Sequence, residues 1–220
     1  MSLLFSRFDN FKSVSGITHV IGLDLSTVSS GLALYDIKAE KVLEGIAIDT
    51  AGLEEKVYEQ AARIIVKIKE WIIKYSIDEK SLVIAKEKQP IQYGAKTTVS
   101  TLISIAKVHG LIENYCYLNE KVLLDIAVPT IRKNVVGNYK ADKEEVFSYI
   151  TKKFNLFSLD KIKGGRDISD AICVALTGIV ALKNDYEEQI KELRKSLKNY
   201  KSNKKKEEIL KCIEDIKRKL

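Results

Sequence analysis

The sequence predicts an α/β fold: a five-stranded mixed sheet flanked by helices, with a C-terminal helical tail. Three observations lead there. Short apolar runs bounded by turn residues alternate with longer runs of helical period. The first three strand candidates follow one another closely, as in an antiparallel meander, whereas each of the last two is preceded by a helix. Beyond Lys183, apolar residues step at 4, 3, 4 and 3 among many charges.

The first strand is read over Thr18 to Asp24, the second over Gly31 to Asp36 and the third over Lys41 to Ile48. The link from Ser26 to Ser30 is made of turn residues. Leu53, Val57, Ala61, Ile64, Ile65, Ile68, Ile72 and Ile73 then recur at helical spacing, with Glu54 and Glu55 in the first turn to suit the dipole. Ser81 to Glu87 is the fourth strand, which Pro90 keeps from continuing. A long apolar helix is expected near Ala95 to Tyr117, and a fifth strand over Val122 to Ala127. Pro129 fits the first turn of a short helix that carries Arg132 and Lys133. Gly137 to Lys140 is a turn, and a further helix begins at Ala141-Asp142-Lys143. Gly164-Gly165-Arg166 reads as a flexible basic link to a last helix opening at Asp167.

Composition narrows the function. The chain has 220 residues, 45% apolar and 30% charged, and a net charge of +7. That suits one ordinary soluble domain (residues 18–182) between an N-terminal arm (1–17) and a basic tail (183–220), and it is compatible with a polyanionic partner. No apolar run approaches the roughly 18 residues of a membrane span. The three cysteines, Cys116, Cys173 and Cys212, lack metal-ligand spacing, which fits a reducing cytoplasm. The arm has too short an apolar run for a secretory signal; its Ser, Arg and few acids leave organelle targeting open.

Four acids stand out. Asp24 ends an apolar strand, where an ionised carboxylate is expensive to desolvate without a partner, such as a cation or turn amides. Glu87 ends another strand. Asp167 and Asp170, at i and i+3, share one face of a helix whose Ala171 and Ala175 let it lie close to a sheet. Alternatively, one of that pair is a cap and the other is solvated. Gathered together, four carboxylates repel and raise one another's pKa, and divalent cations relieve this. Oxygen donors suit Mg²⁺ or Mn²⁺, and two such ions about 4 Å apart support phosphodiester cleavage.

In order and spacing these motifs resemble the RuvC-type Holliday junction resolvases of the ribonuclease H-like superfamily. The resemblance runs over residues 18 to 182. It rests on Gly22-Leu23-Asp24-Leu25-Ser26 leading to Gly31-Leu32-Ala33, on Glu87, on Val135-Val136-Gly137 with Ala141-Asp142-Lys143, and on Asp167, Asp170 and Ala171. Glu87-Lys88-Gln89-Pro90 is also similar to poxvirus-type resolvases, and the divergence looks phage-like or viral. The resemblance implies a ribonuclease H-like sheet and a metal-dependent endonuclease resolving four-way DNA junctions. Asp24, Glu87, Asp167 and Asp170 would hold two Mg²⁺ or Mn²⁺ ions, and Lys143 would stabilise charge on the scissile phosphate or position water. Arg132, Lys133, Lys140, Arg166, Lys88 and Tyr93 are the candidate DNA contacts. A homodimer is implied, through the long helix after Glu87, in the cytoplasm, that of a bacterial host if phage-encoded. Pro90 stands where several cellular members carry a base-wedging aromatic, leaving Ile91 or Tyr93 for that task. Lys86 replaces a residue that is usually apolar.

Other readings stay open on the residues alone. A relative of the same fold could act on RNA–DNA hybrid or RNA. An actin-like ATPase or sugar kinase also places an Asp on a hairpin, and a non-catalytic DNA-binding protein is the remaining choice. In the tail, Tyr186, Ile190, Leu193, Leu197 and Tyr200 form one seam and Ile209, Ile213, Ile216 and Leu220 another, separated by a Lys-rich break. This is a helical hairpin or a coiled coil with a second subunit, serving as a packed extension, a DNA contact or a dimer brace.

Overall fold

The strands β1 (His19–Asp24), β2 (Ser29–Asp36) and β3 (Lys41–Asp49) form the expected meander. After α1 (Lys56–Lys74) comes β4 (Leu82–Glu87), and after α2 (Val99–Leu118) comes β5 (Val122–Ile126). The chain continues as α3 (Val128–Val136), α4 (Lys143–Lys153), α5 (Gly165–Asn199) and α6 (Asn203–Lys217). This is a computed structural model and it describes residues 16–50, 53, 55–89, 98–199 and 203–218.

The sheet order is β3-β2-β1-β4-β5. β1 pairs antiparallel with β2 and parallel with β4, and β4 pairs parallel with β5. Central strands covered on both faces need continuous apolar sequence, as Val20-Ile21 and Leu82-Val83-Ile84-Ala85 provide. Alternation sends Val20, Val83 and Ala85 into the core shared with α3, α4 and α5. Ile21, Leu23, Leu82 and Ile84 point into the core under α1 and α2, around the fully buried Trp71.

α5 lies unusually close on the sheet. A Cβ built at Gly22 would overlap the Ala171 carbonyl and the Ala175 amide, and one at Gly31 would overlap the Asp167 carbonyl. Two glycines on neighbouring strands, facing a helix with alanines on that side, let backbone meet backbone. The helix therefore begins over the end of the sheet where Asp24 and Glu87 sit. It then runs back past Gly22 towards Val20, which Gly178 approaches.

Two expectations are corrected here. Gly164-Gly165-Arg166 is not a flexible link. Gly165 is the first residue of α5, and its Cα side is closed by the Leu159 carbonyl. α1 starts at Lys56, so Glu55 is its N-cap and Glu59 is the acid in its first turn; Glu54 lies outside the described residues. α5 has 35 residues and passes Lys183 without a break. At 1.5 Å per residue it is about 50 Å long, so its far end stands well away from Asp170. α6 folds back on it within the same chain: Tyr186 and Ile190 are buried together with Ile213 and Ile216. Leu193, Leu197 and Ile209 pack against this cluster, while Tyr200 and Leu220 lie outside the described residues. No helix is long and apolar enough to cross a membrane.

The close approach gives a test. Gly31→Ala should push the first turn of α5 off β2 and destabilise the fold by about 1–3 kcal/mol, the usual range for overpacking. Urea denaturation of the variant reads this directly. A midpoint equal to that of the wild type would show that α5 does not need the contact.

Candidate metal-binding and active site

Asp24 and Glu87 come together because their strands are neighbours. The parallel register pairs Gly22 with Ala85 and Leu23 with Lys86, so Asp24 and Glu87 occupy the next step. Parallel strands lie about 4.8 Å apart, and side chains at one step share a face. Asp170 reaches the same place from α5, one turn inside the helix that Gly22 and Gly31 admit.

The floor of the cleft is Asp24, Glu87 and Asp170, with Cys173 one turn beyond Asp170. Its opposite wall is α3 and the start of α4, through Val128, Ile131, Arg132, Lys143 and Val146. The cleft holds about 220 Å³, enough for a phosphate group and accompanying ions. Pro129 in the first turn of α3 and the left-handed Gly137 at its end set where Arg132 stands. Lys143 is presented by the N-terminus of α4, fixed by a capping box in which Asp142 and Glu145 each bond the other's backbone N–H. Its Nζ lies 3.4 Å from Asp170 Oδ2.

Electrostatics set this cluster apart. Burial, then repulsion from Glu87 and Asp170, holds the Asp24 carboxyl well above its ordinary range, with the Lys143 cation pulling the other way. Burial and Asp170 push Glu87 up, and burial pushes Asp170 up against the pull of Lys143. Asp170 is the main cause of a raised Lys143 pKa, so that ammonium stays charged. Burial raises the Cys173 thiol as well, which keeps it protonated.

Asp167 sits one turn earlier on α5. Its Oδ2 accepts a 2.5 Å hydrogen bond from Ser29 Oγ at the start of β2, and it adds to the negative field at Asp24 and Asp170. Among the described residues no three carboxylate, His or Cys groups form a ready-made metal cage. What is in place is a set of oxygen donors crowded against their own repulsion, the donor chemistry that hard divalent cations relieve.

The basic candidates divide. Arg132 lines the cleft with Lys143. Arg166 is exposed, ion-paired with Glu144, and stacked 5.4 Å from the Phe147 ring. Lys133, Lys140 and Lys88 are exposed and outside the cleft lining, Lys140 with its Nζ 5.6 Å from the Tyr139 ring. Tyr93, with Pro90 and Ile91, lies outside the described residues. Sequence reasoning missed Cys173, although its i+3 spacing from Asp170 put it on the same face. It also missed Ser29, for which the sequence held no sign beyond a turn hydroxyl.

Comparison with known proteins decides the family. The family model for crossover junction endodeoxyribonuclease RuvC matches residues 20–178. The chain belongs to the RuvC family. A RuvC crossover junction endodeoxyribonuclease from Clostridioides difficile (strain 630) is 25% identical over 161 residues, 71% of this chain and 87% of that protein. Thermus thermophilus RuvC shares the fold with a TM-score of 0.56 at 18% identity, covering 72% of this chain and 92% of that one. The same RuvC in complex with Holliday junction substrate gives 0.55 at 19%, covering 73% and 92%. The yeast mitochondrial Holliday junction resolvase Ydc2 gives 0.53 at 14%, covering 78% and 81%. The sheet and helices that carry Asp24, Glu87 and Asp170 are thus a RuvC fold, and α6 with the distal part of α5 lies beyond the RuvC match.

The crowded carboxylates predict a pH-dependent stability. A raised folded pKa means the native state binds the proton more tightly than the unfolded chain. Its destabilising effect is absent below the unfolded pKa, near 4, and grows as pH rises through the folded pKa. Asp24→Asn should therefore raise the thermal midpoint of the metal-free protein at pH 8 and leave it unchanged at pH 3.5. Calorimetry at the two pH values checks this; an equal effect at both would contradict the electrostatic account.

Proposed function

We infer that this RuvC-family chain is a structure-selective endonuclease that hydrolyses phosphodiester bonds in Holliday junctions, with divalent metal ions held by Asp24, Glu87 and Asp170. The observation that carries this reading is one cleft with three repelling carboxylates on one side and Arg132 and Lys143 on the other. A phosphate backbone fits between them. Asp167, one turn away on the Ser29 hydroxyl, would complete the donor set for a second ion. A pair of Mg²⁺ or Mn²⁺ ions, when bound, supplies an activated water and stabilises the leaving oxygen.

The chain's own residues bind, orient and neutralise. Lys143 keeps its proton beside Asp170 and is placed to meet charge developing on the scissile phosphate. Arg132 presents a planar fork suited to phosphate oxygens. The exposed Lys133, Lys140, Arg166 and Lys88 would extend this basic surface along the DNA arms, adding affinity without sequence preference. Tyr93 follows Glu87 closely enough in the chain to serve as a contact at the branch point. None of the three cysteines is in a disulfide, which suits a reducing cytoplasm.

A homodimer matches the two-fold symmetry of a four-way junction. α2 supports it. Val99, Ile103, Tyr117 and Leu118 are exposed on this helix, and Gly110 between them leaves open space for a close approach. Val99, Ile103, Ala106, Gly110 and Tyr117 step at 4, 3, 4 and 7, the spacing of a helix-packing seam. Such a stripe, unpaired in the monomer, fits a second copy of itself.

Two substitutions test the metal reading. Asp24→Asn and Glu87→Gln should each reduce cleavage of a synthetic four-way junction by orders of magnitude while retaining junction binding in gel shifts. Turnover at the wild-type rate in either would refute the assignment. Lys143→Ala should lower single-turnover cleavage on the order of 10²-fold and leave affinity within a few-fold. An affinity loss as large as the rate loss would reassign Lys143 to phosphate binding. Wild-type cleavage should rise from pH 5 to pH 8 as the raised carboxyl groups ionise.

A further inference from the structure

Lys86 precedes Glu87 on β4, and strand alternation turns it to the opposite face of the sheet. There its side chain is 1% exposed. Its Nζ lies 2.5 Å from Asp125 Oδ1, 3.0 Å from Glu113 Oε1 and 3.2 Å from His109 Nδ1. An ammonium has three donors and no acceptor, so all three are placed and Nδ1 of His109 must accept. Burial first, and the Lys86 cation next, lower the His109 pKa to about 4, so the ring is neutral and suited to that role. The cluster reaches solvent only through its acids: the Glu113 side chain is 42% exposed and that of Asp125 37%.

The three partners come from two elements with different freedom. Asp125 is the register partner of Lys86 on β5, so the sheet already holds that pair. His109 and Glu113 lie one turn apart on α2. α2 has apolar residues on both sides: Val108, Ile112, Tyr115 and Cys116 are buried inside, and Val99, Ile103, Tyr117 and Leu118 face out. Turning such a helix about its axis exchanges one apolar stripe for another, so burial alone says little about which side meets the sheet. A polar contact that can be satisfied in one rotation only does say it. Single buried polar groups fix register in helical assemblies in this way.

We propose that Lys86, with His109, Glu113 and Asp125, is a positioning device that fixes the rotation of α2 and so the face it offers to a second copy of the chain. This rests on the reading of α2 as the dimer helix. The device also sits directly behind Glu87. One strand end therefore carries the catalytic acid on one face and the anchor of the dimer helix on the other. In a dimer that must place two clefts at a set separation on one junction, the rotation of α2 determines that separation.

The test is the full-length double variant His109→Leu with Glu113→Leu. It frees α2 but leaves Lys86 paired with Asp125 inside the sheet, so no buried charge is stranded. Sedimentation equilibrium should show the dimer dissociation constant raised at least tenfold, and the urea midpoint measured at monomeric dilution should fall as well, because two buried Lys86 donors lose their acceptors. The milder Glu113→Gln reads the same two quantities with a smaller change, should the double variant fold poorly. A merely structural cluster would lower the midpoint and leave the dissociation constant of the folded protein unchanged. That result, or wild-type dimerisation by the double variant, overturns the device while the dimer reading stands. A wild-type chain that sediments as a monomer at every concentration overturns the dimer reading and this proposal with it.

Discussion

The backbone contact between α5 and the β1–β2 pair is the constraint on which the rest depends. A helix normally stands off a sheet by the depth of two side-chain layers. Gly22 and Gly31 on the strands, facing Ala171 and Ala175, remove those layers locally. That brings Asp170 down to the level of Asp24 and Glu87, and puts Asp167 within reach of Ser29. It also explains why α5 is already helical at Gly165, where the Gly-Gly-Arg sequence reads as a flexible link. Gly165 is small because the Leu159 carbonyl closes over it, not because the chain must bend there.

Placing three carboxylates in one partly buried cleft works against folding. Burial raises the pKa of all three, Glu87 and Asp170 push Asp24 further and Asp170 pushes Glu87 further, and Lys143 and Arg132 only partly offset this. Such an unfavourable field is what a bound divalent cation would relieve. The opposite face of β4 shows how the same chain treats a charge meant to stay put. Lys86 has every donor satisfied and two carboxylates to balance it, and it needs no exogenous ion. Adjacent residues on one strand thus illustrate two outcomes of burial: a crowded set of like charges that awaits a ligand, and a closed set of opposite charges that locks a helix.

The tail has a simpler logic. Neither of its seams is long enough to be stable alone in water. α5 solves this by continuing straight out of the core, and α6 by folding back on Tyr186 and Ile190. Because α5 runs away from the end of the sheet that carries Asp24 and Glu87, Lys204, Lys205 and Lys206 in the first turn of α6 are remote from the cleft, on the order of 40 Å along the helix from Asp170.

Sequence alone was sufficient for the strand order of the meander and the alternation of later strands with helices, because each is carried by local pattern. An Asp or Glu ending an apolar strand is visible without coordinates, and so is an i, i+3 acid pair beside small residues. Asp24, Glu87 and Asp170 do converge, and Lys143 and Arg132 do line the same cleft. Local pattern could not separate Asp167 from Asp170, because both face one way on a helix and only the distance of α5 from β2 gives Asp167 to Ser29. Nor could it reveal that Lys86 is buried, since His109, Glu113 and Asp125 are scattered along the chain. Their meeting depends on how α2 is turned against two parallel strands, and that is decided by packing across the sheet, which no stretch of sequence contains.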